Sequence, residues 1–344
     1  MPQILKKLTP STIQNIFCKI SFIKIKIPHM YFTQLNKLKL EFTLLAIGFI
    51  FILIYNYLAE FTFNTQMNTL LALVFVVGVP HGALDFLVDE QNQIRSNKIF
   101  SLNKFLFIYL SQLFAFALFW FLPTIAFAIF IIFSIFHFGE TDLAFLVKPN
   151  KNCWSLYAAY GTLILSILLL THLPEVTAAV PLLGSFLKSN TAILFLQNNT
   201  YYILLAIFIL FFATFFWHYK KNNLKKIEFT RILMFTLLIA ILIALPMLLA
   251  FTFYFALWHS IISIRNIFSY FKQSAQLSKV SNFWGKSILF SVIALVGIVV
   301  LYVVAKYFLP DMNLLFALLI VLSVLTLPHL KVMHTMYLNA NNAS

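Results

Sequence analysis

Apolar residues in this chain are gathered into long runs, separated by short clusters of charged residues, prolines and polar side chains. A helix needs roughly 17 to 25 apolar residues to cross a hydrocarbon core of about 30 Å, and cutting the chain at its polar clusters gives about ten such runs. The pattern therefore predicts an all-α polytopic membrane bundle of about ten (8–10) transmembrane helices. The predicted spans are 41–59, 68–88, 105–121, 124–147, 155–173, 201–217, 230–247, 248–264, 287–309 and 314–334.

The stretch 230–264 is long for one span and short for two, and Pro246 is the obvious helix breaker inside it. Lys and Arg concentrate in cytoplasmic loops. Counting this stretch as one span would turn Arg265, Lys272 and the basic residues that follow them to the outside. We therefore predict two spans here.

Basic residues also predict the orientation of the bundle. Seven lysines and no acidic residue precede Glu41, which indicates a cytoplasmic N-terminus. With ten spans, every Lys and Arg except Lys188 and Lys306 then faces the cytoplasm. We expect an integral protein of the bacterial inner (plasma) membrane.

The same pattern divides the chain into three parts. Residues 1–40 are predicted to form a basic cytoplasmic N-terminal arm, 41–334 a single transmembrane catalytic domain, and 335–344 a short C-terminal tail. Apolar residues alternate with lysines between Ile20 and Ile27, which is typical of a segment lying on an anionic leaflet. A disordered tail is the alternative for this arm.

Composition excludes several classes of protein. Hydrophobic residues make up 62% of the chain and charged residues 10%, so the lipid bilayer is the solvent for most of it. The net charge of +14 serves orientation, and no nucleic acid partner is inferred from it. Cys18 and Cys153 lie in unrelated segments, without the spacing of a disulfide framework or a thiolate metal site.

Six histidines fall within predicted spans, where ionisable side chains are costly and are candidates for function. His172 and His334 lie at the ends of their spans and are expected to be structural or solvated, which leaves four candidates. In the predicted topology all four lie toward the cytoplasmic ends of their helices. Neutral imidazoles suit Fe, Zn, Cu and Ni, and leave the positive charge of a divalent ion uncompensated and its open positions Lewis-acidic. The candidate metal ligands are His81, His137, His259 and His329.

Carboxylates follow two of these histidines at helical spacing. Asp85 comes four residues after His81, and Glu140 comes three after His137, so each shares a helix face with its histidine. We expect both to accept a ring N–H or to offset the charge of the metal. Asp142 is a third candidate, for which a place at the membrane interface is an equal alternative.

The motifs PHGALD, HFGETD, WHS and LTLPH occur in this order on separate predicted helices. In this arrangement the chain resembles the Brp/Blh (bacteriorhodopsin-related-protein-like) family of membrane β-carotene 15,15′-dioxygenases, over roughly residues 68–334. The resemblance implies cleavage of the central double bond of β-carotene by O2, giving two molecules of retinal, at a non-haem Fe(2+) centre. It also implies that His81, His137 and His259 are iron ligands.

One position departs from the pattern of that family. Better-known members carry a further ligand histidine four residues after the WHS-type histidine, where this chain has Ser263. We expect His329 or a water molecule to complete the ligand set, and Ser263 to orient such a water or simply to pack between helices. Activity that is altered or lost is the remaining alternative.

Two other functions compete with the enzyme. A catalytically degenerate relative would bind carotenoid or assist assembly, and a proton or metal-ion transporter would also use histidines and carboxylates. A transporter should place polar groups through both leaflets, whereas the predicted outer half carries little beyond His172 and Glu175. If the enzyme reading holds, a retinal-binding rhodopsin is an expected functional link. Monooxygenase and dioxygenase chemistry stay open.

Overall fold

A computed structural model describes residues 29–58, 61–179, 190–226, 229–272, 283–308 and 314–342. Outside helices, the described residues form turns, short irregular segments and an isolated antiparallel bridge between Val147 and Leu224. The chain separates into two units, Met1–Thr43 and Leu44–Ser344. The first helix begins in the smaller unit and ends in the larger one, and the predicted interfacial segment between Ile20 and Ile27 lies outside the described residues.

The helices of the described chain are numbered in order. They are α1 His29–Leu53, α2 Phe63–Leu73, α3 Val79–Ala83, α4 Asp85–Arg95, α5 Leu102–Phe119, α6 Pro123–Leu143, α7 Trp154–Leu170, α8 Leu173–Ala179, α9 Asn190–Lys220, α10 Phe229–Ala244, α11 Met247–Phe251, α12 Ser260–Lys272, α13 Phe283–Phe308 and α14 Leu314–Asn342. Three π-helical segments, Ile54–Leu58, Val74–Gly78 and Thr252–His259, continue α1, join α2 to α3 and join α11 to α12.

The chain is an all-helical membrane protein, as the apolar pattern predicts. Within the described residues, seven helices are long and apolar enough to cross a membrane. Three shorter apolar helices, Trp154–Leu170, Phe229–Ala244 and Ile288–Val304, fall where three further spans are predicted. The count of about ten spans is therefore not confirmed. Pro246 does separate α10 from α11, which agrees with the division of 230–264.

Local sequence explains where several helices begin and end. Thr62 and Ser101 precede α2 and α5, and each hydroxyl accepts a bond from a backbone N–H in the first turn. Pro123 opens α6, a position where its missing N–H costs nothing. Asn222 takes a positive φ of 57° just after α9, because asparagine tolerates the left-handed conformation better than most residues.

Helices α6 and α7 approach so closely that only glycine fits at two positions. A Cβ added to Gly139 would lie 1.9 Å from the backbone oxygen of Tyr157, and one added to Gly161 would lie 1.8 Å from the backbone oxygen of Ile135. Both distances are far below a van der Waals contact. This contact fixes α6 against its neighbour two residues from His137.

The last helix is longer than the sequence pattern indicates. Residues 335–344 are predicted to be a tail, but α14 continues to Asn342, and Met336 and Tyr337 are buried. They pack against α4 and α12 in a cluster that includes Val88 and Tyr270. The prediction of a tail from 335 stopped at the first polar residues, whereas tertiary packing carries the helix further.

Candidate functional site

The four candidate histidines come from four separate helical regions and meet in the structure. His81 lies on α3, His137 on α6, His259 at the end of the segment Thr252–His259, and His329 on α14. Ring centroids are 4.9 Å apart for His81 and His329, 4.8 Å for His137 and both His259 and His329, and 5.7 Å for His81 and His259. All four side chains are buried. We call this group the histidine cluster.

Irregular helix geometry surrounds three of these histidines. The π-helical segment Val74–Gly78 ends three residues before His81, and His259 is the last residue of another. Pro328 lies inside α14 directly before His329, where it removes one backbone hydrogen bond. Such interruptions turn side chains away from the regular 100° helical spacing and are frequent at functional sites.

Most ring nitrogens of the histidine cluster have no hydrogen-bond partner among the described residues. In this part of the chain, both nitrogens of His137 and His259, Nδ1 of His81 and Nε2 of His329 are buried and unpartnered. Leaving a buried polar atom unsatisfied costs about 1–3 kcal/mol, so several in one place call for an explanation. A bound metal ion would satisfy them together, since a nitrogen lone pair is what a metal takes.

Asp85 joins the cluster by a route that helix spacing does not reveal. Its Oδ1 accepts a bond of 2.7 Å from Nδ1 of His329, and its Oδ2 accepts one of 2.8 Å from the Tyr109 hydroxyl. The prediction that Asp85 accepts a histidine N–H holds, but the histidine is on α14 rather than four residues earlier on the same helical stretch. The bond fixes the His329 ring and leaves Nε2 as its free nitrogen.

Glu140 pairs with a histidine outside the cluster. Its Oε1 accepts a bond of 2.8 Å from Nδ1 of His334, while its Oε2 is buried without a partner. His334 also lies edge-on to Phe136. The expectation that Glu140 would serve His137 on its own helix face finds no support in these contacts. His334, at the end of the last predicted span, is therefore held by Glu140 rather than solvated.

Asp142 is buried rather than interfacial. Its Oδ2 accepts bonds from the Tyr160 hydroxyl at 2.8 Å, the Tyr254 hydroxyl at 3.0 Å and Nε1 of Trp258 at 3.2 Å. These donors come from α7 and from the segment that ends at His259. Asp142 therefore ties that segment to α6 and α7, one residue before His259.

Ser263 lies one turn after His259 and is fully buried, and its hydroxyl has no partner. It is not among the residues that line the cavity described next. A buried position outside the cavity lining agrees with a packing serine better than with one that orients water.

An apolar cavity of about 420 Å³ opens onto the histidine cluster. His81, His137, His259 and His329 all line it, and nearly all its other lining side chains are aliphatic or aromatic. Such a volume falls in the range of small-molecule sites, about 300–1,000 Å³. An added Cβ at Gly82 would meet nothing within 4 Å, so the absent side chain leaves room beside His81.

Several residues of the site are not found by sequence reasoning. Tyr109 donates a hydrogen bond to Asp85, Tyr254 and Trp258 donate to Asp142, and Nδ1 of His334 donates to Glu140. Tyrosine and tryptophan are common in membrane helices, and their polar atoms gain meaning only when a buried acceptor is seen beside them. The signal available in the sequence was a side chain with a polar tip in the middle of an apolar predicted helix.

The arrangement of the cluster can be compared with that of a metal centre. Among the described residues, no three His, Cys, Asp or Glu side chains form a ready-made metal site. Two imidazoles bound to one ion at about 2.1 Å have ring centroids roughly 5 Å apart. The centroid distances in the cluster, 4.8 to 5.7 Å, are close to that value.

The fold and the site define an all-helical membrane protein with a buried histidine cluster at the wall of an apolar cavity. The sequence model of a family described as Beta-carotene 15,15'-dioxygenase matches residues 72–337. The chain belongs to this family. The matched region contains all four histidines of the cluster.

One relative from Uncultured marine bacterium 66A03, named Beta-carotene 15,15'-dioxygenase, is 39% identical over 108 residues. The aligned part is 31% of this chain and 38% of the relative, so well under half of either protein is compared. No solved structure matches the chain.

Proposed function

We propose that this protein cleaves the central double bond of β-carotene with O2 to give two molecules of retinal. Overall one C=C bond breaks and two C=O bonds form, with O2 as the oxidant, so the atoms balance. The observation that carries the proposal is the histidine cluster, with its unpartnered nitrogens, at the wall of an apolar cavity in a chain of this family.

In this proposal His81, His137, His259 and His329 hold a non-haem Fe(2+). Imidazole is a ligand that suits iron, and the unpartnered nitrogens supply lone pairs in a dry site. The ion would supply the redox chemistry that O2 needs. The ring nitrogens of the four histidines must face a common point for the ion to bind. Asp85 would hold the His329 ring for that purpose.

The cavity supports a substrate without polar groups. The ring centroids of Phe138 and His259 are 4.7 Å apart. The Phe255 ring lies nearly parallel to the His259 ring, with 6.2 Å between their centroids. These aromatic walls exclude water from the reacting bond and offer flat surfaces to a polyene. The substrate would reach them from the bilayer, in which it dissolves.

The membrane placement extends the proposal. We place the protein in the bacterial inner membrane with a cytoplasmic N-terminus, because lysines dominate the chain before Glu41. The product would serve a retinal-binding rhodopsin in the same membrane.

The test is co-expression in a bacterial host that accumulates β-carotene, with retinal measured by chromatography. The protein as it stands should bleach the pigment in air and form retinal, and His259→Ala should abolish both. His218→Gln is the matched control, because His218 is equally buried but bonds to Ser155 and Asn223. An iron-replete, membrane-inserted protein that leaves β-carotene intact would refute the proposal and favour a carotenoid-binding relative.

A further inference from the structure

The residues that line the cavity extend from the histidine cluster along two pairs of helices. One part of the cavity follows α6 and α14 away from the cluster toward the beginnings of these helices. The other part is lined by α5 and α13. We call the first the deep arm and the second the side opening.

The deep arm is long. On α14 its lining runs from Leu315 to His329, and on α6 from Phe127 to His137. At a rise of 1.5 Å per residue these stretches are roughly 21 Å and 15 Å long. That length is comparable with the distance from the central double bond of β-carotene to the far edge of one end ring.

Among the described residues, a buried apolar cluster lies at the far end of the deep arm. It consists of Phe127, Leu173 and Val176, with Met247 packed against it. Phe127, Val176 and Met247 also line the cavity, so this cluster is its end wall. We call it the end wall from here on.

Two polar contacts hold the end wall in place. His172 donates from Nε2 to the backbone oxygen of Leu245 at 2.8 Å, and Glu175 accepts from the backbone N–H of Met247 at 2.9 Å. These bonds fasten α8 across the break between α10 and α11. They also give a structural purpose to the two polar residues of the outer half.

The side opening reaches the lipid-facing surface. Leu106 and Leu110 on α5 and Ile293 on α13 line the cavity and are also exposed, at 39%, 56% and 56%. Gly297 on α13 lines it too, and a Cβ there would meet nothing within 4 Å. A long apolar molecule in the bilayer could therefore enter here and extend past the cluster into the deep arm.

Such a substrate must be positioned along the cavity so that the correct double bond lies at the histidine cluster. β-Carotene has no polar atom, so no hydrogen bond can decide which of its many double bonds stops at the cluster. Only a steric stop can do so, since apolar walls resist sliding very little.

We propose that the deep arm is the binding subsite for one half of β-carotene, and that the end wall selects the cleaved bond by stopping the end ring. This inference rests on the proposed function. Val176 and Phe127 are then residues that determine specificity, although they lie far from the reacting bond.

The experiment compares two substrates, β-carotene and the shortened β-apo-8′-carotenal, with retinal and other aldehydes measured by chromatography. Val176→Phe adds bulk at the end wall and should lower retinal formation from β-carotene at least about tenfold, the scale of an overpacked site. Cleavage of the shortened substrate should survive, because its truncated end fits the shorter arm. Ile132→Phe adds the same ring on the exposed side of α6 and should change neither rate.

Phe127→Ala provides an independent second variant, since it deepens the arm. It should yield an aldehyde longer than retinal beside retinal itself, because the end ring moves further from the cluster. Retinal as the sole product of Phe127→Ala, or an equal fall on both substrates in a folded Val176→Phe, would overturn the inference. No retinal from the unchanged protein would instead overturn the proposed function.

Discussion

Buried histidines occur in two kinds of surroundings in this bundle. His172 and His218 are 5% and 4% exposed, and protein groups contact both nitrogens of each ring. His137 and His259 are 3% and 0% exposed, yet none of their nitrogens has a partner within the described ranges of the chain. Burial alone therefore does not distinguish a structural histidine from a candidate ligand. The two kinds are distinguished by whether their ring nitrogens have hydrogen-bond partners among the described residues.

The difference is informative because leaving a buried nitrogen without a hydrogen bond costs free energy. A histidine that only packs would gain by finding a backbone carbonyl or hydroxyl, as His172 does with Leu245 and Thr171. In the histidine cluster, ring nitrogens from four helical regions lack such partners among the described residues. We infer that its nitrogens are kept for a ligand that the protein itself does not supply.

The largest expected effect comes from moving one side of the cluster without touching a histidine. Gly139→Ala would place a methyl group 1.9 Å from the Tyr157 oxygen and force α6 away from α7. We expect it to lower the free energy of unfolding by more than about 3 kcal/mol, because overpacking against backbone has no side chain that can yield.

Thermal unfolding of the purified protein measures this effect. Gly82→Ala is the control, because the added methyl group meets nothing within 4 Å and should leave the unfolding temperature unchanged. Equal unfolding temperatures for the two variants would contradict the close approach of α6 and α7.

A smaller effect is expected at Asp85. Asp85→Asn keeps the size of the side chain but removes the charged acceptor of the His329 N–H, and such partners of ligand histidines typically contribute about 10–100-fold to metal affinity or activity. Tyr109→Phe, which removes one bond to the same carboxylate, should cost less. Iron titration of the two variants measures the order, and a larger loss for Tyr109→Phe would show that Asp85 acts differently.

The sequence predicted the all-helical membrane class, because run length and charge are local properties, but its count of about ten spans is not confirmed. It also brought His81, His137, His259 and His329 together as one group, since residues at one depth on parallel segments can meet. It could not predict which carboxylate serves which ring. Helix-face spacing relates residues on one helix, whereas Asp85 reaches His329 from another.

Other features depend on packing between distant segments. The three donors to Asp142 come from two other elements, and the continuation of α14 past His334 depends on α4 and α12. The π-helical segments beside His81 and within 252–259 have no sequence signature as clear as a proline. These features follow from tertiary contacts that single-sequence patterns do not contain.

The smallest expected effect concerns the departure from the family pattern. Ser263→Ala should change retinal formation by less than about twofold and leave stability equal or slightly higher, because the buried hydroxyl makes no bond. His329→Ala should abolish formation if that ring completes the ligand set. A larger loss of retinal formation in Ser263→Ala than in His329→Ala would show that Ser263, or a water that it holds, is the fourth ligand.

The most direct test is the iron content of the purified protein, measured per chain for single alanine substitutions of His81, His137, His259 and His329. His172→Gln and His218→Gln serve as controls, being buried but already bonded. We predict about one iron per chain in the unchanged protein and in both controls, and little or none in the four cluster variants. Iron retained by the cluster variants, or lost equally from the controls, would contradict the assignment of the histidine cluster as the metal centre.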